Sequence, residues 1–146
     1  MRLHHVNFVS DDMPAMVSFY RDTLGLEETP TPPLIEIPGY SDTSGPTVKN
    51  PAAFIGAGPD PQELQLHLCA PDHELGIRYG MFHNPVDRGH YAFRCDDIEE
   101  VKQRLEAANV PYSDYGIWAV KGWYQIFFFD PAGNLVEVQQ VMDETS

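Results

Sequence analysis

The residues in this chain best suited to chemistry are its six histidines, His4, His5, His67, His73, His83 and His90. Imidazole titrates near neutrality and is a frequent ligand for divalent metals, so histidines set in a pattern point to metal binding or proton transfer. Two of them are patterned. His5-Val6-Asn7-Phe8-Val9-Ser10-Asp11-Asp12-Met13 and His90-Tyr91-Ala92-Phe93-Arg94-Cys95-Asp96-Asp97-Ile98 share one plan. A histidine opens an apolar strand, two aspartates follow, and a hydrophobic residue begins a helical spacing. The offset of 85 residues, from 5 to 90, also holds for 11 to 96 and 12 to 97. A repeat this long indicates two duplicated modules and not a solenoid. Other chemistries lack their residues. No Ser-His-Asp order, phosphate-cradling glycine loop or Cys-x-x-Cys pair occurs.

The elements that must carry these residues follow from periodicity. Residues 2–9 read as a strand. Asp11 or Asp12 can cap a helix over about 13–24, where Met13, Met16, Val17, Tyr20 and Leu24 recur at helical spacing and Gly25 stops it. The second copy places Ile98, Val101, Leu105 and Ala108 on one helix face, ended by Asn109 and Pro111. After each helix the pattern turns to strands. Candidates are Leu34–Ile37, Ala52–Gly56 and Glu63–Leu68, then Tyr115–Val120, Tyr124–Phe129 and Leu135–Val141, the last two joined by an Asp130–Asn134 turn. In Glu63–Leu68 the leucines take one face, and Glu63, Gln65 and His67 take the other. The order is βαβββ twice, which gives an α+β fold class. Residues 30–61 hold eight of the thirteen prolines. They form a long irregular excursion, read either as a surface loop or as a lid over a site.

Composition bounds the partners. Nine Lys+Arg against 22 Asp+Glu give a net charge of −13, which repels phosphate backbones and anionic lipid. Nucleic acid and membrane surfaces are therefore excluded as partners. Hydrophobic residues make up 42 %, enough for a packed core, yet no apolar run approaches the roughly 18 residues of a spanning helix. Met1 leads directly into a strand, so no leader is expected. Cys69 and Cys95 read as small buried apolar residues in a reducing, cytoplasmic setting.

Three stretches in order resemble the vicinal oxygen chelate superfamily, which includes glyoxalase, bleomycin resistance proteins and extradiol dioxygenases. The opening His-strand runs through Asp11-Asp12 and Phe19-Tyr20 to Leu24-Gly25-Leu26. Gly89-His90-Tyr91-Ala92-Phe93 resembles the start of that family's second module. Phe128-Phe129-Asp130-Pro131-Ala132-Gly133-Asn134-Leu135-Val136-Glu137 resembles its closing signature. The resemblance implies one domain over residues 1–146, with module one at about 2–70, a linker at about 71–88 and module two at about 89–141. The modules would form a cupped, incomplete mixed β-barrel with helices outside. It also implies one divalent metal held by His5, His67, His90 and Glu137, with His5 preferred to His4 because it shares the spacing of His90. His67 would be a fourth ligand or a base, and Glu137 is a second candidate base.

Three neutral imidazoles and a carboxylate suit Fe, Zn, Ni, Mn or Co. Strand neighbours on the same faces are Asn7, Glu63, Gln65, Ala92, Arg94, Leu135 and Gln139, mostly small or polar, as a cavity permits and a dry core does not. Without His67 the set reduces to two histidines and a carboxylate, the arrangement of non-haem iron oxygenases. Arg94 and Lys121 are candidates to pair with an anionic substrate group, and Trp118 and Tyr124 to line the cavity. His4, His73 and His83 read as ordinary histidines. The function implied is glyoxalase-like lyase or isomerase chemistry on a small oxygenated organic substrate, through a metal-stabilised enediolate or alkoxide. A non-haem Fe(II) dioxygenase, a fosfomycin-type thiol transferase and a metal-free antibiotic-binding protein are the alternatives. A homodimer is implied by resemblance alone.

Overall fold

The two histidine-bearing strands, β1 (Arg2–Val9) and β5 (His90–Arg94), pair antiparallel in the computed structural model of the protein, which describes residues 1–40 and 52–143. Around them lie β2 (Glu27–Glu28), β3 (Ala52–Gly56), β4 (Gln65–Cys69), β6 (Tyr112–Ile117), β7 (Trp123–Phe129) and β8 (Leu135–Val141). The eight described strands form one mixed sheet in the order β2-β3-β4-β1-β5-β8-β7-β6, which does not close into a barrel. The order is a palindrome of the two modules. β1 pairs parallel with β4 and β5 parallel with β8. The repeat extends to register: Asn7 faces His67 in the first pair and Ala92 faces Glu137 in the second. Since 92 is 85 beyond 7, His67 and Glu137 occupy equivalent places.

The helices also begin one repeat apart, α1 at Met13–Ser18 and α3 at Ile98–Ala107, with a short α2 at Leu75–Arg78 between the modules. Asp12, and not Asp11, caps α1: its carboxylate accepts from Ala15 N–H at 3.0 Å, and Asp97 accepts from Glu100 N–H at 3.1 Å. Such a cap contributes about 0.5–2 kcal/mol. The expected 13–24 helix does not stay α-helical. Beyond Ser18 it widens, with Leu24 N–H donating to Phe19 C=O five residues back, until Gly25 at φ +74° ends it.

Strand expectations shift at two places. Leu34–Ile37 makes a single bridge, Leu34 to Val120, because Pro33 and Pro38 flank it and cannot donate to a ladder. The neighbour of β3 at the sheet edge is β2, with Glu27 opposite Gly56 and Glu28 opposite Ile55. Tyr115–Val120 moves back to Tyr112–Ile117. The chain then turns through Ala119 at φ +60°, which points Trp118 and Val120 inward. The middle of the proline-rich excursion, residues 41–51, lies outside the described residues, and its first arm, 33–37, runs beside residues 119–121. Among the described residues no helix is long and apolar enough to cross a membrane.

Apolar burial occurs in two clusters. Ile98 and Val101 of α3 pack on Cys95, Ile126 and Val138. Leu75 of α2 joins Val86, Tyr115, Trp118 and Phe127. Both cysteines are buried and free. Gly89 governs how β5 meets β1. Its φ is +93°, and a β-carbon there would lie 2.4 Å from the Asn7 carbonyl oxygen. Gly89→Ala therefore strains the backbone next to His90. We expect a loss of about 1–3 kcal/mol, read as a lowered urea midpoint with an unchanged slope.

Candidate metal centre

β1 carries its histidines irregularly. Adjacent strand residues normally point to opposite faces, yet His4 and His5 are both about 2 % exposed and their Nδ1 atoms lie 2.9 Å apart. Pairing with β5 explains this. Leu3 faces Phe93 and His5 faces Ala92, so His4 is an extra residue opposed by none. The bulge turns both imidazoles inward.

Glu137 on β8 sits among them. Its Oε2 is 2.8 Å from His90 Nε2 and 3.3 Å from His5 Nε2, and all three side chains are buried. Its Oε1 is buried without a hydrogen-bond partner. Protonation roles follow from the neighbours. His90 Nδ1 lies 2.9 Å from the Pro85 carbonyl, which can only accept, so the proton is on Nδ1. His90 Nε2 is then the nitrogen that faces Glu137 Oε2, 2.8 Å away, and a cation between the two would be bound by both. Buried charge and orphaned acceptors of this kind are costly unless paired or metal-bound.

Electrostatics agree with that donor set. Burial alone would raise the Glu137 carboxyl, but His5 and His90 outweigh it and hold the group below the usual carboxylate range. Burial lowers His5, against the opposing pull of Glu137. Burial also lowers His67 strongly, reinforced by His5, His4 and His90, and it pushes His4 down to about 3 with help from Arg94 and His5. Burial thus favours the neutral forms of His5, His67 and His4, the form in which an imidazole binds a metal.

The four residues expected to ligate line one pocket, but their donor atoms do not form one group. Nitrogen and oxygen donors of His5, His90 and Glu137 lie within 4.8 Å of one another, as do donors of His4, His5 and His67. His67 stacks on His5, ring centroids 3.6 Å apart, and its Nε2 lies 2.8 Å from Gln65 Oε1. Gln65 donates its amide to the Pro61 carbonyl at 2.8 Å, which fixes its oxygen toward His67. His67 thus holds its proton on Nε2, and Nδ1 keeps the lone pair. The fit to a divalent ion is good for His5, His90 and Glu137, with His67 at the edge of that trio.

The pocket encloses about 80 Å³, several times the roughly 10–15 Å³ one water needs. Ile37, Phe54, Val120 and Trp123 give it apolar walls, joined by Trp118 as expected. Tyr124, expected to line the cavity, and Arg94 and Lys121, expected to pair with an anionic substrate group, are not among the lining residues. Tyr124 follows Trp123 on β7 and so faces away, where it accepts from Lys102 at 2.8 Å and donates to Asp114 at 2.7 Å. Arg94 lies behind the wall, its guanidinium 4.7 Å from the Trp123 ring centre. Lys121 is exposed and meets the excursion through its backbone N–H, bonded to Pro33 C=O. His4 was not legible as part of the site, because a bulge leaves no mark in strand alternation. Gln65 and Gln139 were visible only as polar residues on inward faces.

Comparison with known proteins agrees with the fold. The chain belongs to the Glyoxalase/Bleomycin resistance protein/Dioxygenase superfamily, which it matches over residues 2–138. Methylmalonyl-CoA epimerase from Mycobacterium tuberculosis superposes with a TM-score of 0.66 at 16 % identity, covering 99 % of this chain and 90 % of that one. A variant of the Streptomyces coelicolor methylmalonyl-CoA epimerase, in complex with 2-nitronate-propionyl-CoA, gives 0.60 at 18 %, covering 98 % and 99 %. A Legionella pneumophila protein described as an NAD-dependent benzaldehyde dehydrogenase gives 0.58 at 12 %, covering 94 % and 97 %. At such identities the likeness shows the fold alone. The search of curated proteins finds no match.

Glu137→Ala removes the only carboxylate of the trio. We expect it to abolish zinc binding in a competition titration against a chromophoric chelator. His67→Ala should weaken binding several-fold and leave the stoichiometry unchanged. Normal zinc binding by Glu137→Ala would show that the centre lies elsewhere.

Proposed function

We propose that the protein is a divalent-metal enzyme of the glyoxalase type, performing lyase or isomerase chemistry on a small oxygenated organic molecule. The observation that carries this is the buried Glu137 carboxylate set between His5 Nε2 and His90 Nε2 with its second oxygen unpartnered. Members of the superfamily typically use a divalent metal, which supports the reading. His5, His90 and Glu137 would hold the ion. When bound, such an ion polarises a substrate carbonyl and offsets the negative charge that develops as the neighbouring carbon loses its proton.

The remaining steps belong to the chain. The apolar walls exclude water and seat the substrate against the trio. His67 takes the proton at Nδ1, the nitrogen that its bond to Gln65 leaves free. Burial lowers His67, which leaves its Nδ1 without a proton and able to accept one. Gln65 and the stacked His5 ring hold His67 in place. No lysine or arginine among the described residues lines the pocket, so the ion would be the positive charge that substrate oxygens meet.

One observation favours a second reading. With His67 bonded to Gln65, the trio is two histidines and a carboxylate, which suits Fe(II) and dioxygen. Metal analysis of protein purified without an affinity tag separates the two. Near-stoichiometric Zn, Ni or Co supports the lyase or isomerase. Iron together with substrate-dependent oxygen uptake moves the assignment to a dioxygenase. No metal and no uptake on titration overturns both. Under the first reading, chelation should remove activity and the divalent ion should restore it. His67→Ala should then bind metal yet lose at least about 100-fold in kcat, the scale of a general base.

A further inference from the structure

We propose that His4 is a positioning residue, which holds the proton of His5 on Nδ1 and so leaves the His5 Nε2 lone pair for the metal. The inference rests on the metal-dependent reading above and deepens it. Its directions follow from a group that can only donate. Arg94 Nη2 lies 3.1 Å from Gln139 Oε1, and a guanidinium has no acceptor. Gln139 therefore accepts through Oε1 and turns its Nε2 amide toward His4 Nδ1, 3.3 Å away. A nitrogen facing an N–H donor must carry a lone pair, so His4 is unprotonated at Nδ1.

The proton of His4 is then on Nε2. His5 Nδ1 lies 2.9 Å from the same His4 Nδ1. One of these two nitrogens must supply the hydrogen, and His4 cannot. The proton belongs to His5 Nδ1, which leaves Nε2 bare and directed at Glu137 Oε2. Metal-binding histidines commonly donate their second N–H to a carbonyl or carboxylate, and His90 does so to Pro85. His5 uses a neutral imidazole instead, brought within reach by the bulge that makes His4 the extra residue of β1.

The test uses isosteric changes and two readouts. Long-range proton–nitrogen NMR of the metal-free protein reports the tautomer of His5, and chelator competition reports zinc affinity. In the wild type, His5 should be protonated at Nδ1. His4→Asn keeps an acceptor near the Nδ1 position and should bind zinc within about threefold of wild type. His4→Phe removes the acceptor and should weaken binding by about 10- to 100-fold, the range for lost outer-shell partners. Gln139→Glu keeps the bond from Arg94 but offers His4 an acceptor in place of a donor. It should move the proton onto His4 Nδ1 and shift His5 to the other tautomer, with weaker zinc binding, and it decides the matter should His4→Phe fail to fold.

The inference is overturned if wild-type His5 is protonated at Nε2, or if His4→Phe binds zinc normally. It also fails if His4→Asn loses as much as His4→Phe, or if two zinc ions bind and His4→Phe removes one. Failure of the wild type to bind any divalent metal would sink the proposed function instead, while the tautomer of His5 would still decide the role of His4.

Discussion

The structure around the site depends on one constraint: a buried carboxylate, Glu137, held in its charged form. Removing a carboxylate from water is costly unless opposite charge or hydrogen bonds compensate. Two imidazole nitrogens approach one of its oxygens, and nothing in the described residues meets the other. The same burial lowers His5, His67 and His4. A cation is the simplest partner that satisfies all of these groups at once, which is why the geometry of His5, His90 and Glu137 carries the functional reading.

Duplication supplies that geometry. The sheet places β4, β1, β5 and β8 side by side, so the two modules meet along their histidine strands and the inward faces converge from both sides. The repeat then breaks in a useful way. Equivalent register positions hold His67 in one module and Glu137 in the other. A symmetric pair of carboxylates would repel, and a symmetric pair of imidazoles would bring no compensating charge. The asymmetry gives one anion, and it leaves His67 free to bond Gln65 and keep a lone pair on Nδ1.

Outside the trio, donor-only and acceptor-only groups fix the proton positions. Pro85 C=O sets His90, Pro61 C=O sets Gln65 and through it His67, and Arg94 sets Gln139. The two carbonyls act on residues close in sequence, whereas Arg94 and Gln139 lie 45 residues apart. Arg94 is the clearest case. Its charge drew attention as a possible substrate contact, but it packs over Trp123 and bonds Gln139, so its role is in the wall behind the pocket.

The sequence by itself determined the duplication, the α+β class, the Asp-capped helix starts and the histidine strands. These are local or periodic properties: spacing survives in the chain whether or not it is folded. His5, His67, His90 and Glu137 were legible because strand alternation and the 85-residue offset place them, and the family resemblance names them. Tertiary structure decided which donor atoms converge and where each proton sits. It alone revealed the bulge that brings in His4, the removal of Tyr124 to the helix side of β7, and the collapse of Leu34–Ile37 to one bridge. Those outcomes depend on register between strands far apart in sequence and on backbone carbonyls of loops, and neither leaves a periodic trace in the residues themselves.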